Sequence, residues 1–120
     1  MDLRFPSEPN VTVIVGLIIG GWDQYRGGQV YAINLGGTLA KEPFSTGGSG
    51  STYIYGYCDA NFKEKMSKEE CLEFVQRGLA LAMARDGSSG GIIRTVVITK
   101  DGFEKNVIKG NELPEPTYWK

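Results

Sequence analysis

The sequence predicts an α+β fold, an antiparallel sheet with helices packed on one side. Three observations carry that prediction. Short apolar stretches separated by glycine turns fill the first third of the chain. One strong helix start lies at Ser67, and a β-prone run at Ile92 to Thr99 is answered by a second run after Asp101-Gly102. The order is therefore strands, helices and a closing strand hairpin.

The first ten residues hold Pro6 and Pro9, show no period, and read as an irregular lead-in. Val11 to Ile19 is rich in Val and Ile and reads as a strand buried on both faces. Trp22 to Gly28 is a turn. Gln29 to Asn34 alternates, with Val30 and Ala32 on one face and Tyr31 and Ile33 on the other, so it returns as a hairpin partner. Gly36-Gly37 turns again, into a weaker strand at Thr38 to Phe44. After the glycine-rich stretch Gly47 to Thr52, the residues Tyr53, Ile54, Tyr57 and Cys58 fall on one helical face behind a serine cap.

Ser67 and Glu70 have the spacing of a capping box, and Met66 with Cys71 the spacing of a hydrophobic staple. Leu72, Val75, Leu79 and Ala82 continue the apolar face of that helix. Gly78 lies inside it, where glycine is worth ~1 kcal/mol less than alanine, so a closely packed neighbour is expected there. Gly87 is the expected left-handed C-cap. Ile92 to Thr99, the Asp101-Gly102 turn and Phe103 to Ile108 form a hairpin. The tail from Gly110 to Lys120, with Pro114 and Pro116, reads as an extended arm.

Composition narrows the function. The chain has 120 residues, 13 basic and 14 acidic side chains, a net charge of −1 and no histidine. That length suits one domain. Without histidine there is no Ser-His-Asp triad, no Cys-His pair and no His-ligated metal. Near-neutral charge argues against a nucleic-acid binder. The two cysteines, Cys58 and Cys71, form no CxxC and read as reduced core residues. The apolar run at Val11 to Gly21 is shorter than the ~20 residues of a spanning helix, and its acidic approach is unlike a signal peptide. No membrane association is expected.

Two loops hold the candidate chemistry. Gly47 to Thr52 has the look of an anion-binding turn ahead of a helix. It lacks the GxxxxGK[ST] pattern, since no lysine follows its glycines, and GxGxxG fails at Tyr53. A tight turn and cap is the plainer reading. Arg85-Asp86-Gly87-Ser88-Ser89-Gly90-Gly91 places a carboxylate and two hydroxyls among glycines, fit to orient an amine or nucleophile, or simply to end a helix. The charges at Lys63 to Lys65 and Lys68 to Glu70 read as solvated faces.

Gly20-Gly21-Trp22-Asp23, Gly27-Gly28-Gln29-Val30-Tyr31, Gly47-Gly48-Ser49-Gly50-Ser51, Tyr55-Gly56-Tyr57, Lys68-Glu69-Glu70-Cys71 and Arg85 to Gly91 occur in this order and spacing. Together they resemble the C-terminal half of proteasome core-particle beta subunits, from about Gly16 to Pro114. The two glycine loops most resemble the caspase-like catalytic beta subunits and their immunoproteasome counterparts. Residues 1–15 are then a divergent lead-in, 16–114 a partial beta-subunit domain and 115–120 a tail.

The resemblance implies the four-layer αββα sandwich of N-terminal-nucleophile hydrolases. It also implies a threonine nucleophile whose own amine acts as general base, chemistry that needs no histidine. Ser49 matches the family serine beside that amine. Asp86 and Ser89 match the aspartate and serine that hydrogen-bond around it. Their implied roles are orientation and proton relay, with Asp86 favouring a protonated or polarised amine. No cofactor or metal is implied. The implied partners are proteasome alpha and beta subunits in a stacked-ring complex, with polypeptide substrates cut after acidic residues, in cytoplasm and nucleus.

The half of the family domain that bears the threonine, a lysine and a first aspartate has no counterpart in these 120 residues. Gly37-Thr38 resembles a processing site only superficially, because it falls inside the matched region. The expectation is a truncated form or partial sequence, inactive alone, whose uncovered sheet faces drive association. The competing expectations are a non-catalytic form that acts only through subunit association, and an anion-binding module at Gly47 to Ser51.

Overall fold

The computed structural model describes residues 16–87 and 90–112. The chain is α+β and divides between Gly47 and Gly48 into two compact units.

The first unit is a three-stranded antiparallel meander of β1 (Leu17–Asp23), β2 (Gly27–Ile33) and β3 (Leu39–Glu42). Its first hairpin is tighter than the sequence predicts. Trp22 pairs with Gly28 and Asp23 with Gly27, which leaves only residues 24–26 as loop. The cause is Asp23, whose Oδ1 accepts the backbone N–H of Tyr25 at 2.8 Å and of Arg26 at 2.6 Å. Its Oδ2 accepts Gln29 Nε2 at 2.7 Å. Gly27 takes the left-handed φ of +71° that ends such a turn. Asn34 shapes the second turn, its Oδ1 accepting Gly36 N at 2.9 Å and Thr38 N at 3.2 Å. Thr38 therefore belongs to this turn, and β3 is shorter than predicted at both ends.

Burial of β1 on both faces does not hold for its described residues. Leu17, Ile18 and Ile19 are 40%, 50% and 47% exposed. The described part of this unit contains three strands and no helix to cover a face. Val11 to Val15 lie outside the described residues.

The second unit runs through a 3-10 turn (Ser51–Tyr53), α1 (Tyr55–Asn61), α2 (Lys68–Arg85), β4 (Ile93–Thr99), β5 (Gly102–Ile108) and a last 3-10 turn (Gly110–Glu112). The predicted helix at Tyr53 starts later. The chain first winds as a 3-10 turn, Ile54 stands at the N-cap of α1, and no serine caps it. Of the four residues expected on one face, Ile54 and Cys58 are buried and Tyr53 is exposed.

The capping box of α2 is present. Ser67 Oγ accepts Glu70 N at 3.1 Å, and Glu70 Oε1 accepts Ser67 N at 3.2 Å. Gly78 is buried against α1, where an added Cβ would stand 3.1 Å from Tyr57 Cε1. Tyr57 stacks on Phe74 at 5.6 Å, and its hydroxyl donates to the Phe74 carbonyl at 2.9 Å. The covered face thus passes through Phe74, Gly78 and Ala82. Of the predicted face only Ala82 is fully buried, while Val75 and Leu79 are exposed. Cys71 is exposed too, so it is no core residue and offers Met66 no buried staple partner. It sits in the first turn, before the stretch that α1 covers. Cys58 is buried as predicted, and burial, followed by the nearby Asp59 charge, pushes its thiol pKa up.

The hairpin pairs Ile93 with Ile108 through to Thr99 with Gly102, whose φ is +111°. Ile93, 1% exposed, and Thr95 turn one face of β4 into the core, while Val96 and Ile98 on the other face are open. This alternation is that of an antiparallel hairpin covered on one side. Lys68 Nζ meets Glu104 Oε2 at 2.7 Å and ties the start of α2 to β5. No described helix is long and apolar enough to cross a membrane.

Candidate active site

The segment Gly48 to Ser51 is a β-turn. Ser51 N donates to the Gly48 carbonyl at 3.2 Å, with Ser49 and Gly50 as its central residues. Gly50, at φ −82° and ψ −8°, has the geometry of the third position of a type I turn. Gly48 enters at φ +87°, which an L side chain rarely adopts. The turn sets Ser49 at its first corner.

The far side of the site comes from the end of α2. Asp86 closes that helix, its backbone N–H donating to the Ala82 carbonyl at 2.8 Å. It is the C-cap in extended conformation, φ −97° and ψ 114°, so the predicted left-handed cap at Gly87 does not form. An aspartate here faces the negative end of the helix dipole, an unfavourable place for an acid. Arg85 in the last turn opposes that effect. The extended cap carries the Asp86 carboxylate to the glycine loop.

There the two predicted loops meet. Ser49 Oγ donates to Asp86 Oδ2 at 2.5 Å across 37 positions of sequence. Asp86 is only 9% exposed. A short bond from a hydroxyl to a carboxylate is charge-assisted and strong for its kind. A serine has one O–H and two lone pairs. With its hydrogen given to Asp86, Ser49 Oγ faces any further group as an acceptor, which suits an amine N–H. Ser89, the third predicted site residue, lies outside the described residues.

Sequence reasoning missed Ser51. It is buried, and its hydroxyl donates to the Gly48 carbonyl at 2.8 Å. The signal was available, since Gly48-Ser49-Gly50-Ser51 has turn residues at the spacing of a closed β-turn.

The N–H groups of Ser51, Tyr53 and Ile54 already donate to the carbonyls of Gly48, Gly50 and Ser51. No group of three or more His, Cys, Asp or Glu able to hold a metal occurs among the described residues.

Residues 10–98 match the family model described as proteasome subunit. The chain is 60% identical over 107 residues to a proteasome subunit beta type-6 of Dictyostelium discoideum, covering 89% of this chain and 49% of that protein. It is 59% identical over 106 residues to a probable proteasome subunit beta type-1 of Schizosaccharomyces pombe, covering 86% and 47%. It is 59% identical over 99 residues to a proteasome subunit beta type-9 of Homo sapiens, covering 82% and 45%. The chain spans about half the length of the curated relatives it matches.

Proposed function

Because the chain belongs to the proteasome subunit family, among its beta-type members, we propose that it is the part of a threonine-type endopeptidase subunit that manages the proton of the nucleophile. The single observation that carries this reading is the 2.5 Å contact between Ser49 and the largely buried Asp86.

In this reading the threonine comes from the half of the subunit that these residues do not include. Its hydroxyl oxygen attacks the peptide carbonyl, and the hydroxyl proton passes to the threonine's own amine. The tetrahedral adduct collapses as the peptide C–N bond breaks, the departing amine takes up that proton and an ester to the threonine remains, which water then cleaves, returning the threonine hydroxyl and releasing the acid. Asp86 stabilises the ammonium form by charge. Ser49 accepts an amine N–H and, with its O–H committed to Asp86, fixes the direction of the lone pair that receives the proton. Ser89 completes the set. No step calls on a metal or cofactor.

The same reading assigns the chain to a stacked-ring complex of proteasome alpha and beta subunits that degrades polypeptides in cytoplasm and nucleus. It assigns cleavage after acidic residues. Its support is the identity with beta type-6 and type-9 subunits.

The test joins this chain to the N-terminal half of a beta type-6 relative, in cells lacking their own copy. Assembled particles are then assayed on a fluorogenic peptide with an acidic residue before the reporter. Activity is expected from the joined subunit and none from the chain alone. Asp86→Asn is expected to lower kcat by about 100-fold or more. Full activity in Asp86→Asn particles refutes the reading.

A further inference from the structure

We infer that Ser51 is a positioning residue for the reaction, acting through the turn that holds Ser49. The inference rests on the role of Ser49 proposed above. Ser51 closes that turn twice. Its backbone N–H and its hydroxyl both donate to the Gly48 carbonyl, at 3.2 Å and 2.8 Å. That carbonyl belongs to the peptide group joining Gly48 to Ser49. Fixing its oxygen fixes the plane from which Ser49 departs, and with it the aim of Ser49 Oγ at Asp86.

Two features separate this bond from ordinary turn decoration. Ser51 is 8% exposed, so its hydroxyl does not readily exchange the Gly48 carbonyl for water. Gly48 holds φ +87° with open space where a Cβ would be, so no side chain of its own restrains the peptide there. The Ser51 hydroxyl and N–H, both on the Gly48 carbonyl, are the restraints, and the hydroxyl makes the shorter bond. Tyr55 OH lies 3.4 Å from Ser51 Oγ, too far to compete strongly for that hydrogen.

The test uses assembled particles carrying the complete subunit, with particle yield and single-turnover kinetics as readouts. Ser51→Ala and the near-isosteric Ser51→Cys are expected to lower kcat about three- to tenfold, the scale of one hydrogen bond, with KM unchanged. Ser51→Thr, which keeps the hydroxyl, is expected to restore most of it. In a Ser49→Ala background, Ser51→Ala is expected to add nothing, because the positioned group is gone. An equal fold-loss in both backgrounds overturns the inference, as does unchanged kcat in both loss variants. Failure of both to assemble while Ser51→Thr assembles assigns Ser51 to folding and also overturns it. If Ser49→Ala alone leaves kcat intact, the proposed role of Ser49 fails and this inference falls with it.

Discussion

Gly78 of α2 and Tyr57 of α1 are fitted so closely that a single added carbon would bring them to 3.1 Å. The ring cannot easily retreat. It is stacked on Phe74, and its hydroxyl is bonded to the Phe74 carbonyl. Replacing an interior helical glycine by alanine ordinarily stabilises a helix by ~1 kcal/mol. Here overpacking opposes that gain with a cost of about 1–3 kcal/mol. Gly78→Ala is expected to lower stability, and Tyr57→Leu in the same chain is expected to relieve the clash. Urea unfolding of both variants decides it, and a more stable Gly78→Ala chain refutes the fit.

The capping box gives a second prediction. Ser67→Ala removes the acceptor for Glu70 N and is expected to cost about 1 kcal/mol in thermal or chemical unfolding. Glu70 adds a pH signature. The Ser67 backbone N–H, and next its side chain, hold the Glu70 carboxyl below its ordinary 4.5. A carboxyl with a lowered folded pKa stabilises above that ordinary value, and the contribution fades as pH falls through the folded one. Glu70→Gln is expected to flatten this stretch of the stability–pH curve, an outcome readable from melting temperatures below pH 5.

What was legible follows from how local each signal is. The Ser67–Glu70 box and the β4–β5 hairpin turn depend on residues within four positions; the box appears as expected, and the turn falls at Lys100-Asp101, one residue ahead of Asp101-Gly102. Gly78 was legible because an interior glycine needs a neighbour to explain it. The conformation of Asp86 was not, since its partner Ser49 lies 37 positions away. Taken alone, both loops fitted a plain turn and cap, and only the family resemblance paired them. The exposure of β1 was hidden for another reason. A run of Val and Ile records the burial a strand is built for, not what covers it in a given chain.

Asp23 organises the β1–β2 hairpin, and its carboxyl is held below its ordinary 3.8, chiefly by the Arg26 N–H and then by Gln29. Asp23→Ala is expected to abolish hydrogen-exchange protection at Tyr25 and Arg26 while leaving α2 protected. Asp23→Asn, which keeps an acceptor oxygen, is expected to show the smaller loss. Equal protection in all three chains refutes the assignment.

The open faces predict behaviour in solution. Leu17, Ile18 and Ile19 in one unit, and Val96, Ile98 and Phe103 in the other, are exposed apolar residues on strands. Such surface associates. The chain by itself is expected to self-associate with rising concentration, and Ile18→Lys with Phe103→Lys to reduce it. Light scattering that gives 13.1 kDa at every concentration contradicts this.

The Ser49–Asp86 contact also has a place in time. Bringing together ends 37 residues apart costs roughly 3 kcal/mol of chain entropy. The packing of Ile54 and Tyr57 against Gly78, within the enclosed stretch, offsets that cost. Until α1 and α2 have docked, the Ser49 hydroxyl and the Asp86 carboxylate stay apart. On the role proposed for Ser49 and Asp86, the packing of the two helices and the readiness of the site then arrive as one event.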